Sequence, residues 1–203
     1  MLSGAFRATT KDGTVYYRSS LTYKRKHISL GSFPSEEEAH LAYKEGTSLL
    51  SVPEITLENY ASHIKKLDYT KAITLLNFRD NGVYIKNPIY LRQSYFLYFL
   101  SPQAEYKFDI DDLFFYSSHK IMQRGGRLFV NEYGMQTGIL SRYGVRNHAV
   151  LDVDYSFANG DSYDYRYANI IVINRYRGVT RTERSGIVRY QAFIHINGNY
   201  SIG

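Results

Sequence analysis

The sequence predicts an α+β fold in four consecutive pieces: a three-stranded antiparallel sheet with a helix at the amino end, a helical connector, a ββα unit, and a second sheet of the first kind without its helix. Three observations predict it. Short runs rich in Thr, Tyr, Val and Ile, broken by turn residues, open the chain and lead into a capped helix. An aromatic middle of mixed periodicity follows. The last residues then repeat the pattern of the first. The expected segments are residues 1–50, 51–126, 127–174 and 175–203.

In the first segment Phe6 to Thr9, Val15 to Leu21 and His27 to Phe33 are the expected strands, with Lys11-Asp12-Gly13 and Tyr23-Lys24-Arg25-Lys26 as turns. Ser35-Glu36-Glu37-Glu38 reads as a capping box, in which the serine oxygen and the Glu38 carboxylate satisfy free amides at a helix start. Ala39, Ala42, Tyr43, Gly46 and Leu50 recur at helical spacing and lie along one face. Strand alternation sends Ser19, Leu21, Ile28 and Leu30 toward that helix and leaves Arg18, Ser20, Thr22, His27 and Ser29 on the other side.

The phrase Ile28-Ser29-Leu30-Gly31-Ser32-Phe33, running into Ser35-Glu36-Glu37-Glu38-Ala39 and Ala42-Tyr43, resembles the AP2 family of DNA-binding domains. Similar sheets open many phage integrases. The resemblance implies that the helix-free face of the sheet lies in the DNA major groove. It also implies that Arg7, which follows the opening aromatic Phe6, contacts DNA. Where the family often has arginine and tryptophan on the reading face, this chain has His27 and Ser29.

In the connector, Leu57 to Lys66 and Thr70 to Phe78 are expected helices, Asp80-Asn81-Gly82 a turn and Val83 to Lys86 a short strand. Pro88 can open a further helix. The run Ile89 to Leu100 is apolar on most sides and too short to cross a bilayer, so it is expected to be buried core. Asp109 to Gln123 is expected to be a helix that Gly125-Gly126 ends, with Asp109, Asp111 and Asp112 at its positive end.

In the third segment Leu128 to Asn131 reads as a strand, Met135 to Arg142 as a short helix, and Tyr143-Gly144-Val145 as a turn into Ala149 to Asp154. Asp154, Asn159-Gly160-Asp161, Asp164-Tyr165-Arg166 and Asn169-Ile170 then resemble the second half of an HNH nuclease motif of the phage and homing-endonuclease type. The resemblance implies a hairpin and helix gripping one divalent cation, with Asp154 and Asn169 in metal-ligating places; oxygen donors of this kind suit Mg²⁺ or Mn²⁺. Tyr155 stands where the family has the histidine that activates water, and Tyr165 where it has the central asparagine. A phenol of pKa near ~10 is protonated at neutral pH and takes no proton from water. His148 lies on the same approach. No catalytic residue is therefore assigned, and the frame is expected to serve as a degenerate docking scaffold; a cation enters only if the nuclease reading holds.

In the fourth segment Tyr176-Arg177-Gly178-Val179 is similar to the opening of AP2 domains, Arg189 to Ile196 alternates, and Asn197-Gly198 is a two-residue hairpin turn. Phe6-Arg7 answers Tyr176-Arg177, Tyr17 to Leu21 answers Tyr190 to Ile194, and Leu30-Gly31 answers Ile202-Gly203. The covering helix is missing, so Tyr190, Ala192, Ile194 and Ile196 need a partner surface. Truncation, packing on the connector or a homodimer each supplies an explanation.

Charge points the same way. The chain has 203 residues and a formal charge of +6, with +5 in residues 1–33 and +4 in residues 175–203, which leaves the middle at −3. Two basic sheets fit a polyanion, because neutralising phosphates releases condensed counterions. With 44% apolar residues and 21 tyrosines the chain is no disordered tail, and the absence of cysteine excludes disulfides and thiolate zinc sites. No apolar run reaches membrane-spanning length and no secretory signal precedes the first strand, so the expected location is the cytoplasm, without a membrane partner.

The leading expectation is double-stranded DNA binding by a phage or mobile-element protein, regulatory in use, through Arg7, Arg18, Thr22, Lys24, Lys26, His27, Arg177 and Arg189. The alternatives are a metal-dependent nicking endonuclease and an inhibitor whose protein partner is a host nucleic-acid enzyme.

Overall fold

The computed structural model describes residues 2–146, 149–173, 176, 179–196 and 199–202, with residues 193–196 and 199–202 described by backbone alone. The fold is α+β, with several small antiparallel sheets and few helices. The chain divides into two compact units, residues 1–118 and 119–203.

The first unit opens with β1 (Ala5–Thr9), β2 (Val15–Tyr23) and β3 (Lys26–Phe33), a three-stranded antiparallel sheet in sequence order. Lys24 and Arg25, both with positive φ, close its second hairpin in two residues. Helix α1 (Glu36–Ser51) packs on this sheet. Ser19, Leu21, Ile28 and Leu30 are buried, as alternation predicts, together with Ala39, Ala42 and Leu49 of α1. Gly46 lets the helix come close: a Cβ there would stand 3.1 Å from Leu21 Cδ2 and 3.2 Å from Leu30 Cδ1. Ser35 caps α1 by accepting the Glu38 amide at 3.2 Å. The Glu38 carboxylate, expected to return to the cap, instead pairs with Lys66 at 2.5 Å.

Glu45 of α1 explains why Leu57 to Lys66 is not a helix. Its buried carboxylate accepts the amides of Lys65, Lys66 and Leu67 at 2.8, 3.0 and 2.8 Å, so those donors cannot serve a helical ladder. Only one 3-10 turn, Tyr60–His63, forms there. Helix α2 (Tyr69–Asn81) follows, capped by Asp68 and ended by Gly82 in the left-handed conformation. Arg79 of α2 donates to the Leu49 and Ile55 carbonyls at 2.7 and 2.8 Å and so ties down the end of α1.

The connector is only partly helical. Residues 83–86 form no strand, while β4 (Ile89–Leu91), β5 (Tyr95–Ser101) and β6 (Ala104–Asp109) make a second antiparallel meander where a helix was expected after Pro88. Phe96, Leu97, Tyr98 and Phe99 are all buried, so β5 is covered on both faces. A strand buried on both sides loses its alternation, and a short apolar run then reads equally well as buried helix. The expectation of buried core is met: Leu97 and Phe99 join the cluster around α2, and Phe96 stacks on Phe108, which packs on Tyr116. The helix expected over Asp109 to Gln123 shrinks to a 3-10 turn at Ile110–Asp112 and α3 (Leu113–Ser118).

In the second unit β7 (Ile121–Arg124), β8 (Arg127–Glu132) and β9 (Met135–Gly138) form an antiparallel sheet. Gly125 and Gly126, both with positive φ, turn the β7–β8 hairpin instead of ending a helix. Met135 to Arg142 is strand β9 followed by a 3-10 turn at Ile139–Tyr143. Strands β10 (Tyr155–Phe157) and β11 (Ile170–Val172) pair across a loop holding the 3-10 turn Tyr167–Asn169. The ββα expectation is corrected here, since the described residues of 127–174 contain no α-helix. The loop is held instead by the Asp164 and Asn169 side chains, which bond Arg166, Asn159 and the Asp164 carbonyl. Strands β12 (Val179–Arg184), β13 (Ile187–Ile196) and β14 (Asn199–Ile202) form a further three-stranded meander. No helix among the described residues is long and apolar enough to cross a membrane.

Candidate nucleic-acid interface

The face of β1–β3 turned away from α1 is polar and exposed. Arg18 lies between Phe6 on β1 and Ser32 on β3, Thr22 pairs with His27, and Ser20 pairs with Ser29. The Arg18 guanidinium is held by the Tyr16 hydroxyl, with Nη2 at 2.8 Å and Nε at 3.2 Å. Arg18, Thr22 and His27 thus share one surface that carries no carboxylate, because the acids of this segment sit elsewhere: Asp12 in the first loop, Glu36, Glu37 and Glu38 in the first turn of α1.

Three of the expected contacts do not share it. Arg7 pairs with Tyr17, two residues along β1 from buried Ala5, so the pleat puts it on the helix side of the sheet, exposed beyond the helix. Lys26 pairs with Tyr23, which packs on the core, and its ammonium lies 4.5 Å from the Tyr84 ring centre. Lys24 sits in the turn with its ammonium 5.3 Å from the Tyr23 ring and 5.7 Å from Phe78. Phe6, 52% exposed, and Tyr16 were missed as members of the face. The alternation applied to β2 finds both when it is carried through the pairing into β1.

The β12–β14 sheet repeats the first in register as well as order. Val179 stands opposite Ala192 as Ala5 stands opposite Ser19, and Ile194 opposite Ser201 as Leu21 opposite Ile28. Tyr190 to Ile194 therefore answers Tyr17 to Leu21, as expected. The counterpart of Arg7 opposite Tyr17 is Arg181 opposite Tyr190, not Arg177, because the β12–β13 turn has only Ser185 and Gly186 where the β1–β2 loop spans residues 10–14. Arg189, exposed and opposite Thr182, takes the place of Tyr16. Arg177 lies outside the described residues, as does His148. Tyr190 and Ala192 are exposed, while the side chains of Ile194 and Ile196 are outside the description.

The loop between β10 and β11 is organised by Asp164, which is fully buried. Its carboxylate receives Arg166 Nε at 2.8 Å and Nη2 at 2.5 Å, and Asn159 Nδ2 at 3.1 Å. The Arg166 side chain is the main cause that holds the Asp164 carboxyl below the usual carboxylate range, against desolvation. Asn169 spans the loop: its Oδ1 accepts the Asn159 amide at 2.8 Å and its Nδ2 donates to the Asp164 carbonyl at 2.8 Å. Asp154, 1% exposed, is bound on one oxygen by Arg146 at 2.8 Å and on the other by the Val150 amide at 2.8 Å.

Asp154 and Asn169 do not fit the divalent cation that the HNH resemblance implies. Both Asp154 oxygens and the Asn169 amide are bound to partners within the unit, and a cation at Asp154 would face a guanidinium. Among the described residues no group of three or more His, Asp or Glu side chains gathers at metal-binding distance. Tyr155 is half-buried, and that burial pushes its phenol above the usual tyrosine range, with Arg127 opposing. The shift moves it further from proton acceptance at neutral pH. Tyr165 packs edge-on against Phe157, and its carbonyl accepts the Tyr143 hydroxyl. Comparison with protein families, with curated proteins and with solved structures gives no match.

Proposed function

We propose that this protein binds double-stranded DNA, as a regulator carried by a phage or other mobile element. The observation that carries the reading is the exposed, carboxylate-free face of β1–β3, where Arg18, Thr22 and His27 lie together beside Tyr16 and Phe6. Sheets of this width enter the major groove, and an arginine held in place by a neighbouring hydroxyl loses less freedom when it meets a phosphate or a guanine edge. In this reading β1–β3 with α1 is an AP2-like unit, and β12–β14 supplies a second basic sheet through Arg189, with Arg177 preceding it in the sequence. Arg7, Lys24 and Lys26 then serve as phosphate contacts at the margins of the face, where long side chains reach the backbone. Residues 154–170 are a degenerate HNH-like frame whose polar groups hold its own loop together.

A gel-retardation titration of duplex DNA at two salt concentrations tests this. Affinity is expected to fall steeply between about 50 and 200 mM salt, as release of counterions from several phosphates requires. Arg18→Ala combined with Arg189→Ala should weaken binding at least tenfold with the fold intact by circular dichroism. Affinity that ignores salt, or survives that double substitution, overturns the proposal.

A further inference from the structure

Strands β10 and β11 pair so that one edge of their sheet is occupied and the other is open. The Ala158 amide donates to the Asn169 carbonyl at 2.8 Å and the Ile173 amide to the Asp154 carbonyl at 2.9 Å. In this register Asn169, Ile171 and Ile173 turn their backbone groups toward β10, and Ile170 and Val172 turn theirs away. The outward carbonyls of β10 are taken: Tyr155 accepts the Asp152 amide at 2.7 Å and Phe157 the Gly160 amide at 3.0 Å. The outward amides and carbonyls of Ile170 and Val172 have no hydrogen-bond partner among the described residues. We propose that this edge of β11 joins two copies of the chain, each laying its β11 antiparallel to that of the other.

A groove of about 480 Å³ opens at this edge, lined by Ile170, Ile171 and Val172 together with Tyr143 and Gly144, and by no residue of β10. A strand seated there would lie about 4.8 Å from β11, the ordinary spacing within a sheet. Edge strands of natural proteins are guarded by lysine, proline, a bulge or a covering segment, because their unpaired amides and carbonyls template another strand. Ile170-Ile171-Val172 carries no charge, no proline and no bulge, and its residues are all β-branched, the type that favours strand pairing. Ile171 and Ile173 stand on one face of the strand, 48% and 47% exposed.

The occupant that fits is an uncharged extended strand, and β11 itself has that character. In the antiparallel register centred on Ile171, Ile170 of each copy stands opposite Val172 of the other as a hydrogen-bonded pair, so every outward amide and carbonyl is used. Ile171 then faces its own counterpart in a non-hydrogen-bonded pair, where side chains come closest, and its exposed surface leaves water. No like charges are set against each other. The contact is isologous and closes after two copies, in a sheet of order β10-β11-β11-β10 whose outward β10 carbonyls are already occupied. A lone two-stranded ribbon is marginal in water, and the added strands relieve that weakness. This inference does not rest on the duplex-binding reading, because β10 and β11 belong to neither β1–β3 nor β12–β14.

The test is analytical ultracentrifugation of the full chain over a range of concentrations, where the wild type is expected to sediment as a reversible dimer. Val172→Pro removes an amide that serves no bond within one copy, so it should keep the circular dichroism spectrum and raise the dimer dissociation constant about tenfold or more. Ile171→Lys and Ile171→Glu each set like charges across the two-fold axis and should have the same effect. A mixture of the two sets opposite charges there and is expected to restore association, which only pairing of Ile171 with its own counterpart explains. Arg18→Ala should leave association intact, which separates failure here from failure of the duplex-binding proposal. A wild type that stays monomeric up to about 1 mM overturns the assignment. So does a monomer that instead takes up a Val-Thr repeat peptide at this edge, since the occupant is then a foreign strand. Association that survives both Val172→Pro and Ile171→Lys, or that the mixture fails to restore, overturns it as well.

Discussion

Arg146 and Asp154 form a 2.8 Å ion pair in which the Asp154 side chain is almost wholly buried and the Arg146 side chain is 27% exposed. The pair joins the turn after β9 to the start of β10, and the second carboxylate oxygen holds the Val150 amide at 2.8 Å. Removing one partner of such a pair strands the other, so Asp154→Ala should lower stability by about 3 kcal/mol in urea unfolding. The same carboxylate is the ligand that the HNH resemblance assigns to a cation. A resident Mg²⁺ or Mn²⁺ would raise the melting temperature by mass action. Millimolar additions of either are expected to leave it unchanged, and a rise of several degrees that Asp154→Ala abolishes would reverse this account of the site.

The fold was legible in the sequence where one face is buried and the other wet. Leu21, Ile28 and Leu30 alternate with Thr22, His27 and Ser29, and Ala39, Ala42 and Gly46 mark the matching helix face, so β1–β3 and α1 could be read directly. Where burial is two-sided the signal vanishes, as in β5, whose four consecutive buried residues have no period. Long-range partners are invisible in a different way. Nothing near Lys65 announces that Glu45, twenty residues earlier, takes its amide and forbids a helix. The candidate surface was half legible: the pleat gives Arg18, Thr22 and His27 a common face, while Arg7 was placed by resemblance and the pleat puts it on the opposite side. Gly125-Gly126 can end a helix or turn a hairpin, and only the pairing of Arg124 with Arg127 decides between them.

Asp164 makes the second unit sensitive to acid. Its carboxyl is held below the usual range, first by Arg166, so the folded state binds fewer protons than the unfolded one through the acid range. The stabilisation is complete above the unfolded value of about 4 and is lost as pH falls through the lower folded value. Asp164→Asn removes that linkage. The stability difference between wild type and Asp164→Asn, measured by urea unfolding from pH 7 to pH 2, should therefore shrink below about pH 4. A difference that stays constant over the whole range would mean that Asp164 is not the ionised acceptor of this loop.

Glu45 organises the segment before α2 by accepting three backbone amides on one side chain. Glu45→Ala leaves the amides of Lys65, Lys66 and Leu67 without an acceptor, and about 3 kcal/mol of lost stability is expected. Glu45→Gln keeps one oxygen but turns an amide NH₂ toward donors, so it should lose a smaller amount. Hydrogen exchange gives the sharper reading. The three amides should exchange faster in Glu45→Ala than in wild type by far more than the change in global stability explains.

Gly46 sets two opposing effects against each other at one atom. In an isolated helix Gly→Ala gains about 1 kcal/mol, because glycine loses the most backbone freedom on folding. In α1 the added methyl would meet Leu21 Cδ2 at 3.1 Å and Leu30 Cδ1 at 3.2 Å, both on side chains under 10% exposed that cannot swing into solvent. Overpacking of a filled core costs about 1–3 kcal/mol, so Gly46→Ala should be net destabilising by about 1 kcal/mol. Leu30→Val on its own should also destabilise, by opening space beneath the helix. Combined, the two changes share that space, and the double variant should be more stable than the sum of the single effects predicts by about 1 kcal/mol. Strict additivity in chemical denaturation would show that the helix backs away from the sheet instead, and that the close approach at Gly46 is not what seats α1 on β2 and β3.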